Sequence, residues 1–587
     1  MINNTNLEST EKIFRKYPSF YVGESRGAHV FSNMRDEFKG GVPLAYDPVE
    51  RRIAVDPGDT HTLIWGSTGS LKTRCVIEPT IKILGKAGES MIINDPKAEI
   101  FTRCAAELKE NGYRVKVINL RDPEYGNSWN PLAIPYSFWL SENYDLASAL
   151  ANDLADSLML SEKSASEAFW DYSARDVFFG LVLLLFKYCS EHNSGPTMVN
   201  MSSVAALRRK LFERGTMASQ DILWKYASEN ELIASNLSGS VYAPKETMHS
   251  ILSVFDQKIG VFMVRPSLLD MLANNDIDIA MIPEEKTAVF LIVPDEKTTY
   301  NGLVSTFVKQ SYEYLIHLAT GNDGHRLHNR VNFVLDEFSA LPPIDSMSSM
   351  ISAARSRNVR FMLAVQGKHQ LTQRYGNEAE TIKSNCLNWI YLMSRELDLL
   401  REISDLCGEQ RNHTPNVSVF DLQHLSKEKC EALIMCGRMK PALVNLLDID
   451  RFGESRYTVL DFEKLPRKKR QPLNFPLAPD IVKRLTPKAA TVEQKPMQQR
   501  AQSANSTVDM VNRATQRAQR LREINRDLKE LETQERFERA ASTAVMNHKQ
   551  TKPRNEVLDA LDSTIERLIK EEGYFEPNLN ITVGQEG

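Results

Sequence analysis

Two groups of residues in this chain could carry out phosphate chemistry together. One is the run Gly66-Ser67-Thr68-Gly69-Ser70-Leu71-Lys72-Thr73; the other is the pair Asp336–Glu337, which ends the apolar run Val331-Asn332-Phe333-Val334-Leu335. A glycine-rich turn opening a helix aims backbone N–H groups at phosphate oxygens. In such a loop Lys72 reaches the β and γ phosphates and Thr73 offers its hydroxyl to magnesium. The chemistry then asks for a carboxylate that helps hold the hydrated metal, read here as Asp336, and a second that activates water, read as Glu337.

Each group has a plainer explanation. A strand ending in two carboxylates is often only a strand reaching solvent. Leu71 stands where the phosphate-loop pattern has glycine, and glycine permits backbone conformations and a close phosphate approach that a β-carbon hinders. A strand–turn–helix junction with a chance Lys-Thr, or a decayed site, therefore stays open. The two groups together favour a nucleotide site using ATP and Mg2+.

These residues need a parallel sheet to position them. His61-Thr62-Leu63-Ile64-Trp65 reads as a strand entering the loop, and Arg74-Cys75-Val76-Ile77 as the start of a helix. Further strands are expected at 90–94, 114–119, 287–293, 331–335, 359–365 and 388–393, most of them apolar over several consecutive residues, as strands buried on both faces are. Open α/β sheets bind ligands at the carboxyl edge, where Asp336 follows its strand. Gln366 ends the 359–365 strand on that edge, placed to sense a γ-phosphate or position water.

Between 135 and 282 the texture changes to helical periodicity, with Leu146, Leu150, Leu154 and Leu158 on one helix face as a core stripe. The expected organisation is an entry segment 1–60, a first nucleotide-binding part 61–134, an all-helical domain 135–282, a second nucleotide-binding part 283–465 and a charged tail 466–587. In the tail, Pro466-Arg467-Lys468-Lys469-Arg470 reads as a solvated linker or as a contact for phosphate or anionic lipid. Amphipathic stripes at Val511–Leu531 and Leu558–Leu568 suggest docking helices, with disorder as the competing reading.

Composition sets the bounds. With 587 residues, 42% hydrophobic and 25% charged, the chain suits a soluble protein of several domains. A formal charge of −4 excludes a nucleic-acid footprint spread over the whole surface, so any such contact must be local. Seven scattered cysteines without a Cys-x-x-Cys pair argue for a reducing compartment and against structural zinc. No signal peptide is visible, and the longest apolar run, Val177–Phe186, is too short to span a bilayer and reads as a buried helix. A cytoplasmic protein is expected.

Over roughly residues 45–465 the chain resembles the type IV secretion coupling proteins, the TraG/TraD-like conjugation ATPases. The resemblance rests on pieces in family order: the Gly66–Thr73 loop, Asp95-Pro96-Lys97-Ala98-Glu99, Trp129-Asn130-Pro131-Leu132, Phe169-Trp170-Asp171-Tyr172-Ser173-Ala174-Arg175, Leu335-Asp336-Glu337-Phe338-Ser339-Ala340-Leu341, Val365-Gln366 through Tyr375-Gly376, and Ser384-Asn385-Cys386. It implies a RecA-like P-loop domain interrupted by an all-helical domain. It also implies homo-hexamers that pass single-stranded DNA, relaxases or effector proteins to secretion channel components. Carried over, Lys72 and Thr73 contact phosphate and magnesium, Asp336 magnesium, Glu337 the attacking water and Gln366 the γ-phosphate. Arg355, with Arg357 as its neighbour and rival, would be an arginine finger supplied to an adjacent subunit. The family's pair of membrane-spanning helices is not seen before the loop, which suggests a peripheral protein at the cytoplasmic face of the membrane, recruited by an inner-membrane adaptor. A non-secretory DNA translocase and a catalytically weak docking scaffold are the competing functions.

Overall fold

Strands alternate with helices on either side of a long helical stretch in the computed structural model, which describes residues 7–21, 39–160, 165–192, 194–213, 221–294, 299–411, 413–451, 467–470 and 485. Near the amino end, β1 (Ser19–Tyr21), β2 (Val42–Asp47) and β3 (Arg52–Asp56) form a three-stranded antiparallel sheet, in the order β1-β3-β2, beside the helix Thr10–Lys16. These residues were expected only as an entry segment. Pro43 hides the strand, because proline cannot donate to a ladder; it is accommodated at a register shift between Pro43 and Ala45.

The main sheet contains β4 (Thr62–Gly66), β5 (Ser90–Asn94), β6 (Arg114–Asn119), β7 (Thr287–Ile292), β8 (Val331–Leu335), β9 (Val359–Val365), β10 (Asn388–Met393), β11 (Glu431–Cys436) and β12 (Ala442–Asn445). Its order is β12-β11-β10-β4-β9-β8-β5-β7-β6. Pairing is parallel from β10 to β6, and the last two strands add an antiparallel edge.

Alternate residues of each strand feed two separate cores. Leu63, Trp65, Phe333 and Leu335 face one apolar cluster, while Ile64, Met91, Ile93 and Val334 face the other. Burial on both faces is why these strands read as unbroken apolar runs. The second cluster is closed by the helices Glu78–Ala87 and Glu99–Glu110. The first is continuous with the core of the helical stretch, which includes Tyr144–Met159, Ala165–Glu191 and Lys245–Met263.

That stretch leaves from β6 and returns by β7, two strands that pair directly. A long insertion is accommodated there because it closes on neighbouring strands and leaves the sheet order intact. The run Val177–Phe186 lies inside Ala165–Glu191, with nearly every side chain sealed in the core. Among the described residues no helix is long and apolar enough to cross a membrane. All described residues fall within the compact unit Met1–Met497, and the two tail stripes lie outside the described residues.

The basic run near the start of the tail has partners. Arg467 pairs with Glu124 at 3.0 Å and Lys468 with Asp276 at 3.3 Å. Arg470 donates to Ser128 Oγ at 2.7 Å and to the Gly126 carbonyl at 3.0 Å. Three of the four described cations are thereby committed within the chain, which the run's composition alone does not show.

Candidate nucleotide site at the carboxyl edge

The loop Gly66–Thr73 leaves the carboxyl end of β4 and is pinned at its start by Ser67 N–H donating to the Met393 carbonyl of β10 at 2.8 Å. Gly69 has φ +77, a left-handed conformation suited to glycine, and a β-carbon on Gly66 would collide with the Ser70 hydroxyl. Leu71 also lies in the left-handed region, at φ +68. The loop therefore has the backbone conformation for which glycine is preferred, with a leucine occupying it at a cost of about 1–2 kcal/mol. The leucine side chain turns into the second apolar cluster, where it is partly buried. Packing there offsets the strain.

Expected stabilities follow from these opposing contributions. Leu71→Gly relieves the strain but loses apolar contact and adds unfolded-chain entropy, so its stability should stay within ~1 kcal/mol of wild type. Leu71→Ala keeps the strain and loses the contact, so it should be less stable by roughly 1–2 kcal/mol. Denaturant melts of the two variants test this ordering; an alanine variant as stable as the glycine one would refute it.

Helical structure begins immediately after the loop, with Thr73–Ile77 as a π-helical turn that runs into Glu78–Ala87. Lys72 is 5% exposed, and its ammonium donates to the Gly66 carbonyl at 2.7 Å. Its Nζ also lies 3.9 Å from Glu337 Oε1. Thr73 Oγ1 donates to Asp336 Oδ2 at 3.0 Å, across a separation of 263 positions. The other Asp336 oxygen accepts the Glu337 N–H at 2.9 Å. Gln366 Nε2 donates to Glu337 Oε2 at 2.7 Å.

The strand order explains this convergence. β9 lies between β4 and β8, so the ends of three adjacent strands deliver the loop, Gln366 and the carboxylate pair to one edge. Glu337 itself has φ +51, an unusual conformation for a residue with a β-carbon and one that such sites often hold under strain. Burial pushes the Asp336 carboxyl up to about 6, with the Glu337 charge adding to the rise while Lys72 and Thr73 oppose it. A hydroxyl and a carboxylate side by side are hard oxygen donors, the type magnesium takes. The orphaned, buried Ser70 Oγ and the open space around Gly69 fit a loop built to receive phosphate.

Arg355 is not part of this assembly within the chain. It sits just before β9, at the opposite edge of the sheet, half-exposed and donating to Asp59 Oδ1 at 2.8 Å. Arg357 donates to the His325 carbonyl on that same side.

The structure adds residues that had no assigned role. Asn94, the last residue of β5, donates to the Asp336 carbonyl at 2.6 Å and fixes the end of β8. Asp95 is buried, accepts the Phe101 N–H at 2.7 Å and is pushed up to about 7 by burial. Arg374 donates to the Ser339 carbonyl at 3.3 Å, and Ser339 Oγ donates to Gln370 Oε1 at 3.1 Å. The helix after Gln366 is thus tied to the segment after Glu337. Asn94 adjoins a quoted motif and Asp95 opens it, so both were within reach of sequence reasoning. Arg374 falls within the quoted span Val365–Gly376, but nothing in its type points to the Ser339 carbonyl it meets.

In the helical stretch, Asp171 pairs with Lys258 at 3.1 Å and Arg175 with Asp156 at 2.7 Å. The charged members of that motif join helices together.

A mainly parallel sheet with the phosphate-type loop and the carboxylate pair on strands flanking a third defines an α/β P-loop fold. The chain belongs to the family described as type IV secretory system conjugative DNA transfer, which matches residues 8–434. It is similar to the type IV secretion system-coupling protein VirD4 of Bartonella henselae, at 24% identity over 368 residues, covering 60% of this chain and 54% of that one. Protein VirD4 of Rhizobium radiobacter is 23% identical over 400 residues, covering 66% and 54%. The chain thus spans about half the length of the curated relatives it matches. Among solved structures, the plasmid coupling protein TrwB in complex with the ATP analogue ADPNP aligns with a TM-score of 0.54 at 15% identity, covering 80% of this chain and 97% of that one. TrwB in complex with ADP and Mg2+ aligns with a TM-score of 0.51 at 16% identity, covering 76% and 97%. These likenesses establish the fold.

Proposed function

We propose that this protein is a coupling protein of a type IV secretion or conjugation system, an ATP-driven motor that brings relaxase-bound single-stranded DNA or protein substrates to the secretion channel. The observation that carries this reading is the unbroken chain of contacts from Lys72 and Thr73 through Asp336 and Glu337 to Gln366. Family membership supports the biological setting.

In this reading Lys72 releases the Gly66 carbonyl to bind phosphate oxygens, and the loop N–H groups take the rest. Thr73 and Asp336 hold magnesium, which when bound neutralises charge on the phosphates. Glu337 accepts the proton of the attacking water at Oε1, because Oε2 is engaged by Gln366. Gln366 orients that carboxylate and meets the γ-phosphate. Arg355 lies on the far edge of its own sheet, so it serves as an arginine finger only for a neighbouring subunit of a hexamer. The helical stretch 135–282 and the tail 466–587 would contact cargo, the membrane adaptor and the channel. The protein would work at the cytoplasmic face of the membrane.

The test is ATP hydrolysis by the full chain with and without single-stranded DNA. Turnover that rises several-fold with DNA is expected of the motor. Turnover absent from wild type but restored by Leu71→Gly would replace it with a docking scaffold that has a disabled site.

A further inference from the structure

Arg467, Lys468 and Arg470, the basic run most visible in the sequence, are engaged by carboxylates, a hydroxyl and backbone carbonyls. A second basic group is dispersed in the sequence and brought together only by the fold. Lys12 and Lys16 lie one turn apart on the helix Thr10–Lys16, and Arg438 and Lys440 lie in the turn joining β11 to β12. The Glu8 N–H donates to the Pro441 carbonyl at 2.9 Å, and the Tyr17 hydroxyl meets Cys436 Sγ at 3.2 Å. These contacts hold the helix against the turn. Between them is a cleft of about 320 Å³ lined by Glu8, Lys12, Lys16, Arg438, Met439 and Lys440.

Four cations and one carboxylate face this space. Glu8 is committed to Lys12 at 2.9 Å. Among the described residues, Lys16, Arg438 and Lys440 form no ion pair. Lys16 gains something from the carbonyl end of its helix, but nothing comparable compensates the two cations of the turn. In a chain of net charge −4, such a concentration is local and unbalanced, and it is relieved by an anion.

The register places the cleft. Asn388 at the start of β10 pairs with both Thr62 and Cys436, so the β11–β12 turn lies at the amino edge of the sheet. The phosphate loop leaves the other end of β4, and an occupant of the cleft leaves it open. The cleft is compact and has no aromatic lining, whereas single-stranded nucleic acid is held by extended grooves with rings for its bases to stack on. Partly buried Met439 gives it an apolar side among the cations, the combination a lipid–water boundary favours.

We propose that the cleft between the helix Thr10–Lys16 and the β11–β12 turn binds the phosphate headgroups of anionic phospholipids, so that this face of the protein rests directly on a membrane surface.

The test is co-sedimentation of the full chain with phosphatidylcholine vesicles that contain or lack phosphatidylglycerol. Binding is expected only to the anionic vesicles and should weaken as salt rises. The triple variant Lys16→Glu, Arg438→Glu, Lys440→Glu should bind at least roughly 100-fold more weakly, from the loss of three surface cations. The variant Arg209→Glu, Lys225→Glu, Lys245→Glu changes net charge equally, away from the cleft, and should bind like wild type. All six side chains belong to residues at the surface, and thermal melts of both variants check that they fold. Equal loss in both triple variants, undiminished binding by the cleft variant, or equal wild-type binding to neutral vesicles would each overturn the proposal. So would a cleft that captures single-stranded DNA while wild type ignores anionic vesicles.

Discussion

Lys72→Ala is expected to lower ATP turnover at least ~100-fold, the cost of removing one charged donor from a site where charge develops on the transferred group. Of the two loop side chains that reach the carboxylate pair, Thr73 meets Asp336 and the lysine meets the base, with Nζ 3.9 Å from Glu337 Oε1. Its ammonium is held now by the Gly66 carbonyl at 2.7 Å, so it is already positioned over the loop. Phosphate oxygens in place of that carbonyl set the ammonium against an opposite charge where it now meets only a dipole. ATP affinity should therefore fall along with turnover. The fold should survive, because the lysine contributes to neither apolar cluster. Measuring turnover and nucleotide binding on protein with an unchanged melting curve checks all of this together. Turnover equal to wild type would remove the loop from the mechanism.

Much of the site was legible because its chemistry is concentrated at strand ends. Val331–Leu335 is apolar throughout and Asp336 is the next residue, so the sequence marks where the chain reaches the sheet edge. The same logic located Gln366 after Val359–Val365. The backbone of Leu71 was not legible, since a leucine gives no sign that its φ is +68; that conformation is imposed by the loop and supported by the apolar cluster behind it. Asn94 looked like the end of a strand, and only the pairing of β5 with β8 turns its amide towards the Asp336 carbonyl. β12 was missed because it has four residues of alternating exposure, whereas Ala432–Cys436 of β11 is an apolar run as long as those of the central strands and was open to the same reading. The cleft cations lie more than four hundred positions apart and could be joined only by the three-dimensional fold.

Glu337→Gln should separate binding from chemistry. The substitution keeps the shape of the side chain and an oxygen that can accept from Gln366, while removing the group that takes a proton from water. Loss of a general base costs roughly 100- to 10,000-fold, and that loss should fall on kcat. Binding should be preserved or tightened, because one negative charge leaves a site that holds phosphates beside Asp336. Lys72 loses only a 3.9 Å partner and keeps its carbonyl contact. Gln366→Ala tests the positioning role by a different signature. Without the 2.7 Å contact the Glu337 carboxylate is free to turn, yet it remains a base, so kcat should fall by about tenfold with KM little changed. In the double variant the part of the second loss that comes from orienting the base should vanish, leaving only what Gln366 contributes by meeting the γ-phosphate itself. Additive losses in the double variant would show that Gln366 acts on the phosphate independently of Glu337, and a Glu337→Gln protein that still turns over at the wild-type rate would assign the base to another residue.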